Sequence, residues 1–164
     1  MGKDYFRIDD RLIHGQIVTA WCSFLKINEI VAIDDKLASN PMLQTIMLMG
    51  IPKNYKAHVV TSEQAKKLLD TPSDGNRLFV TRFTQDLANY REQLKKCEIC
   101  IIGNASKKNA DDYNLTKGGG SVFFASREDV ELLDEVERDG VNLIYQTVPT
   151  SPKKTWPEMR ESIR

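Results

Sequence analysis

Apolar, β-branched runs alternate with stretches of helical spacing along nearly the whole chain, a pattern that predicts parallel strands joined by crossover helices. The first strand is expected over about Tyr5 to Asp9. A helix from about Gly15 to Lys26 follows, with Ile17, Ala20, Trp21, Phe24 and Leu25 spaced for one buried stripe. Glu29 to Asp34 carries Ile30-Val31-Ala32-Ile33, the continuous apolar run of a strand covered on both faces. Ser39-Asn40-Pro41 reads as a helix start, with Asn40 or Ser39 as cap, and Gly50 and Pro52 close that helix. Its apolar residues, Met42, Leu43, Ile46, Met47, Leu48 and Met49, are expected mostly to pack against the sheet.

Further strands are expected at Ala57 to Thr61, Arg77 to Phe83, Glu98 to Ile102, Ser121 to Ala125 and Val141 to Gln146. Helices are expected at about 62–69 with Ser62 as cap, at 86–96, at 128–137 with Ser126 as cap, and at 156–162 with Thr155 as cap. From Ala105 to Gly120 the period fails, and a polar loop closed by Gly118-Gly119-Gly120 is expected. Loops of that length in a compact domain are usually functional or mobile. The pattern as a whole predicts one three-layer α/β domain over residues 1–164, a mostly parallel sheet of about seven strands with helices on both faces.

Composition narrows the function classes. Lys plus Arg and Asp plus Glu each number 23, so the formal net charge is zero and nucleic acid is not an expected partner. The N-terminus lacks the apolar core of a secretory signal, and no apolar run approaches the roughly 20 residues that cross a bilayer. A cytoplasmic protein is expected, one that serves any membrane process by docking. Three cysteines do not suggest a disulfide framework. Cys97-Glu-Ile-Cys100 matches Cys-x-x-Cys, but it opens a β-favouring run, where residues three apart face opposite sides. With two histidines, His14 and His58, no close metal-ligand spacing appears, and neither a metal nor a cofactor is expected. The glycine triplet precedes a strand and lacks dinucleotide spacing, and no Walker-type loop occurs.

In a parallel sheet, ligands bind beyond the carboxyl ends of the strands. Among the residues at such ends, only Arg7-Ile-Asp-Asp-Arg-Leu-Ile-His-Gly-Gln16 combines two cations, two carboxylates, an imidazole and a helix start. The residue types suit phosphoryl transfer, which needs positioned donors and positive charge around three oxygens. Arg11 and Arg7 offer forked donors. Backbone N–H groups of Gly15 and Gln16 offer more, with the helix dipole behind them. Asp9 or Asp10 is placed to hold one nitrogen of His14 while the other attacks. From the residues alone His14 is either such a nucleophile or a helix cap, and the Arg/Asp pairs either a site or internal ion pairs.

The stretch from Arg7 to Ile17 resembles the signature of enzyme IIB components of the bacterial phosphotransferase system, in the mannose/fructose/sorbose family. Length, the βα order, Lys56-Ala-His-Val-Val60 before a helix and a strand followed by a loop near Gly103 extend the likeness over most of the chain. The resemblance implies a protein-N(π)-phosphohistidine–sugar phosphotransferase. His14 would receive a phosphoryl group on Nδ1 from a phosphohistidine on a IIA domain and pass it to a sugar hydroxyl, with IIC and IID subunits carrying the sugar through the membrane. Asp9 and Arg11 match positions expected to orient the imidazole and hold the phosphate. The chain departs from the pattern at Gly103-Asn104-Ala105, where relatives often have Gly-Gly-Met, and at Arg82-Phe83-Thr84-Gln85, often Phe-x-Asn-Pro-like. Arg82 is there an extra cation, expected to bind phosphate. The competing expectations are a regulatory or anion-binding module on the same fold, and more remotely a redox protein.

Overall fold

The computed structural model describes residues 1–116 and 122–163, the side chains of Gln16 and Ile17 excepted. The chain opens with β1 (Asp4–Asp9), α1 (Gly15–Leu25), β2 (Ile27–Ile33), the short α2 (Asp35–Ala38), α3 (Pro41–Leu48), β3 (Lys56–Val60), α4 (Ser62–Asp70) and β4 (Asn76–Thr81). A 3₁₀ segment (Thr84–Tyr90) leads into α5 (Arg91–Leu94) and β5 (Ile99–Asn104). Then come β6 (Tyr113–Asn114), β7 (Phe124–Ala125), α6 (Arg127–Arg138), β8 (Leu143–Tyr145), β9 (Lys154–Thr155) and α7 (Trp156–Arg160). The main sheet runs β3-β2-β4-β1-β5-β8-β9, parallel except for β9.

Strand alternation divides the core in two. Phe6 and Ile8 of β1 belong to the cluster that also holds α4, α5, α6 and α7 residues, whereas Tyr5 joins Val18, Trp21 and Cys22 of α1 on the opposite face. This is the expected three-layer α/β arrangement. Because β1 lies between β4 and β5, the loop after β1 opens at the centre of the sheet, flanked by the carboxyl ends of both neighbours. The connection after β1 packs on one face and leads toward β2, and that after β5 packs on the other and leads toward β8. The two diverge and leave a crevice, the usual ligand position in such sheets.

Caps fall where side-chain chemistry puts them. Asn40 accepts from the Leu43 N–H, Ser126 from Asp129 and Thr155 from Glu158. At α4 the cap is Thr61 rather than Ser62, because Gln64 stands three residues on and completes a capping box. The helix expected over 86–96 divides into the 3₁₀ segment and α5. Leu87 and Tyr90, three apart, superpose in 3₁₀ geometry and both reach the core.

The strand expected at Ser121 to Ala125 does not join the main sheet. Phe124–Ala125 pairs antiparallel with Tyr113–Asn114, and Phe123 bridges Ala105, so the small sheet continues from the end of β5. Ser121 and the glycine triplet lie outside the described residues. The seventh position in the sheet belongs to β9, paired with β8.

The packing expected of α3 is also corrected. The helix has no buried residue, and Met42, Leu43, Ile46 and Met49 are exposed. It lies against α2 and the edge strand β3, where the partly buried Met47 reaches the core fringe but the opposite stripe finds nothing among the described residues to cover it.

Phe6 is fully buried, stacked on Phe79 and tilted against Tyr90. Urea denaturation of Phe6→Ala should show a loss of about 3–5 kcal/mol, whereas Met42→Ser should stay within about 0.5 kcal/mol. Equal losses would contradict this division between core and surface.

Candidate functional site

β1 delivers Arg7 and Asp9 to the same face of the sheet, two residues apart. Arg7 is 1% exposed. Its Nη1 donates to the Gln146 carbonyl at 3.1 Å, and its Nη2 to the Thr147 carbonyl at 3.1 Å and to Asp9 at 3.4 Å. The guanidinium lies 5.5 Å from the centre of the Trp21 ring, and the Trp21 indole N–H donates to the same Thr147 carbonyl. Gly103 lets this group in, since a Cβ there would stand 2.6 Å from Arg7 Nη2. Burial draws the guanidinium down to about 10, with Asp9 working against that, so Arg7 stays charged at neutral pH. Arg7, expected to bind phosphate, is enclosed: its terminal nitrogens are held by the Gln146 and Thr147 carbonyls and by Asp9, while its buried Nε has no hydrogen-bond partner among the described residues.

Asp9, 2% exposed, accepts the Arg11 backbone N–H and Nε on one oxygen and Arg11 Nη2 on the other, each at 3.0 Å. The carboxylate thus grips Arg11 in two parallel bonds, the strongest form such a pair takes. The role expected for Asp9, orienting His14, is not what the geometry shows. Both of its oxygens are occupied by arginines. About a third of the Arg11 side chain remains exposed, so its outer edge faces the loop surface.

Asp10 points the other way, as alternation requires. Its carboxylate accepts Asn104 Nδ2 and the Ser106 N–H, both at 2.7 Å. Burial opposes its charge, but the Asn104 and Ser106 hydrogen bonds prevail and hold the carboxyl below the usual aspartate range. Asp10 does not hold His14 either.

Between these anchors Leu12 adopts φ 60°, a left-handed conformation that costs an L-residue about 1–2 kcal/mol. Burial of its side chain, 1% exposed among Val18 and Trp21, holds it there. The turn brings His14 to the N-cap of α1, in extended conformation and exposed. Its side chain does not cap the helix, and among the described residues the imidazole has no hydrogen-bond partner. The cap reading of His14 is excluded. Gly15 and Gln16 begin α1, where the first N–H groups lack intrahelical acceptors, and nothing lies within 4 Å of where a Gly15 Cβ would stand. An anion beside His14 meets backbone donors and a helix dipole, and no acidic residue opposes it in the first turn.

Arg82, expected as an extra cation that binds phosphate, is engaged. Its Nε donates to Asp34 at 2.6 Å and its Nη1 to the Asp10 carbonyl at 2.8 Å. Asp34 and Asn104 at strand ends, and Ser106 in the loop expected from Ala105 onward, join the site through pairings that the sequence does not announce. A groove of about 550 Å³ lined by Asp34, Leu43, Arg82 and Phe83 opens beside the loop.

The remaining chemistry is quiet. Burial pushes the Cys97 thiol up to about 12 and the Cys100 thiol higher still, the reverse of a reactive redox pair. Among the described residues no group of three or more His, Cys, Asp or Glu is placed to hold a metal ion, and no helix is long and apolar enough to cross a membrane.

Comparison with known proteins places the chain in a family. The family model for the sorbose subfamily IIB component of the phosphotransferase system matches residues 4–163. The chain is 38% identical over 159 residues to the fructose-specific EIIB component of Bacillus subtilis, covering 96% of this chain and 94% of that one. It is 26% identical to the sorbose-specific EIIB component of Klebsiella pneumoniae, over 89% and 87% of the two chains. The mannose-specific EIIAB component of Escherichia coli is 25% identical over 90% of this chain, which spans only 45% of that longer protein. The crystal structure of the IIBSor domain of the Klebsiella pneumoniae sorbose permease superposes with a TM-score of 0.83, at 22% identity and full coverage of this chain, which shows the shared fold.

Replacing Asp10 by Asn removes the anion from both donors and leaves one of them facing an NH₂ group instead of an acceptor. Asp10→Asn should lose about 1–3 kcal/mol in urea denaturation at neutral pH. Because the folded carboxyl titrates below its unfolded value of about 3.9, its contribution is present above that pH and lost as pH falls through the folded value. The variant's stability should therefore fall less steeply than the parent's across that acid range. An identical acid limb would contradict this.

Proposed function

The chain belongs to the sorbose-subfamily IIB components of the phosphotransferase system, and on that footing we propose that His14 is its phosphoryl acceptor. The phosphodonor is a phosphohistidine on a IIA domain. The imidazole Nδ1 of His14 attacks the phosphorus, and its N–P bond forms as the donor's N–P bond breaks. In the second step a sugar hydroxyl attacks the same phosphorus. The O–P bond forms, the N–P bond breaks, and the hydroxyl proton is released. The sugar enters through IIC and IID membrane subunits, to which this component docks at the cytoplasmic face.

The observation that carries this reading is the exposed imidazole of His14, without a hydrogen-bond partner among the described residues, at the start of α1 in the same short loop as Arg11. Three sources of positive potential serve the transferring group: the first N–H groups of α1, the helix dipole and the outer edge of Arg11. Asp9 acts through Arg11. Its bidentate grip fixes the guanidinium before phosphate arrives, so little reorganisation accompanies transfer. Imidazole is a competent nucleophile at neutral pH, and no metal is required by this route.

Incubation with a phosphorylated IIA partner, followed by intact mass and peptide mapping, should show one phosphoryl group on His14. The adduct should be labile in acid and stable in alkali, as a phosphoramidate is, and absent from His14→Ala. Label on another residue of that variant, or anion binding by the parent without any covalent adduct, would contradict the proposal, the latter pointing to a binding module. Removing the positioned cation in Arg11→Gln should slow transfer about a hundredfold with the fold intact. Transfer at the parent rate would exclude Arg11 from the site.

A further inference from the structure

The loop bearing His14 is held from outside itself, and one residue takes most of the load. The Asp10 N–H donates to the Asn104 carbonyl at 2.9 Å, and its carboxylate receives Asn104 Nδ2 and the Ser106 N–H. Its carbonyl receives Arg82 Nη1 at 2.8 Å. Arg82 in turn is fixed by Asp34, whose other oxygen caps α2 through the Leu37 N–H at 2.9 Å. The ends of β2, β4 and β5 therefore converge on a single position of the β1–α1 loop. Two positions further on, Leu12 holds a conformation that L-residues disfavour. A loop with such a residue stays in one shape only if its surroundings over-determine it.

We infer that Asp34 and Arg82 form a positioning clamp for phosphoryl transfer, fixing the Asp10 carbonyl so that the loop presents His14 and Arg11 in one geometry. The inference rests on the reading of His14 as phosphoryl acceptor and assigns neither clamp residue a contact with phosphate. Residue type supports it. A guanidinium reaches two acceptors in different directions at once, which a lysine ammonium on a flexible stem does not do with fixed geometry. The pair is also sheltered, with side-chain exposures of 28% for Arg82 and 15% for Asp34, so solvent screens it less than a surface pair. A small displacement of reacting groups is costly in rate, which gives such a clamp its leverage.

Asp34→Asn separates the clamp from the cap. The amide oxygen still accepts from Leu37, but the amide NH₂ faces the Arg82 Nε–H, donor against donor. Asp34→Asn and Arg82→Ala should each lower kcat for transfer from phosphorylated IIA about tenfold. KM for the donor should be unchanged, since docking is not the step affected. The double variant should be no slower than Arg82→Ala alone, because both remove one device. Arg82→Lys should fall between Ala and Arg.

A second measurement needs no donor: amide hydrogen exchange at Asp10 and Leu12 should quicken in Asp34→Asn. Parent-like kcat in both single variants, a raised KM with kcat unchanged, or unaltered exchange would each overturn the clamp. Failure of the parent to phosphorylate at His14 would overturn the functional reading instead, and the exchange measurement would still decide the clamp.

Discussion

The buried carboxylate of Asp9, set between two arginines at the end of the central strand, is the interaction on which the site depends. A carboxylate at 2% exposure is costly to desolvate unless it is paired and hydrogen-bonded. Arg7 and Arg11 supply both, and Asp9 neutralises one of the two positive charges they bring. The remaining charge is displaced outward onto Arg11, where the loop meets solvent. One arginine thus becomes part of the interior, tied to Gln146, Thr147 and Trp21, while the other becomes a fixed surface cation. Removing Asp9 would leave two like charges facing each other.

The sheet order makes this arrangement possible. With β1 between β4 and β5, the loop after it is reached by side chains from both neighbours, and through Arg82 from β2 as well. Alternation along β1 sorts the groups. Arg7 and Asp9 face α1, and Asp10, past the strand end, turns toward β5. The same geometry gives Gly103 its role, since backbone on β5 must make room for the Arg7 guanidinium. His14 is what these contacts leave over, the polar side chain of the loop without a hydrogen bond among the described residues.

Much of this was legible in the sequence. The βα period and the long apolar strand at Ile30 to Ile33 predicted the parallel sheet, and strand-end position singled out Arg7 to Gln16. The opposite orientations of Asp9 and Asp10 followed from strand alternation. Their partners did not, because whether a carboxylate meets an imidazole or a guanidinium depends on the loop path, and Leu12 at positive φ is invisible to periodicity. Arg7 looked like a ligand-binding cation because its enclosure comes from residues 139 and 140 positions away. The partner of Arg82 is equally hidden, because Asp34 lies 48 residues earlier. The stripe of α3 departs from expectation for a related reason: helical spacing of apolar residues says which face is apolar, not whether anything covers it.

The most direct test is an NMR comparison of the protein before and after phosphorylation by its IIA donor. The account predicts phosphorus coupled to an imidazole nitrogen of His14, large shifts of the Arg11 Nε–H and the first amides of α1, and an unmoved Arg7 Nε–H. Phosphorus on any other side chain, or a response at Arg7 with Arg11 unchanged, would contradict it.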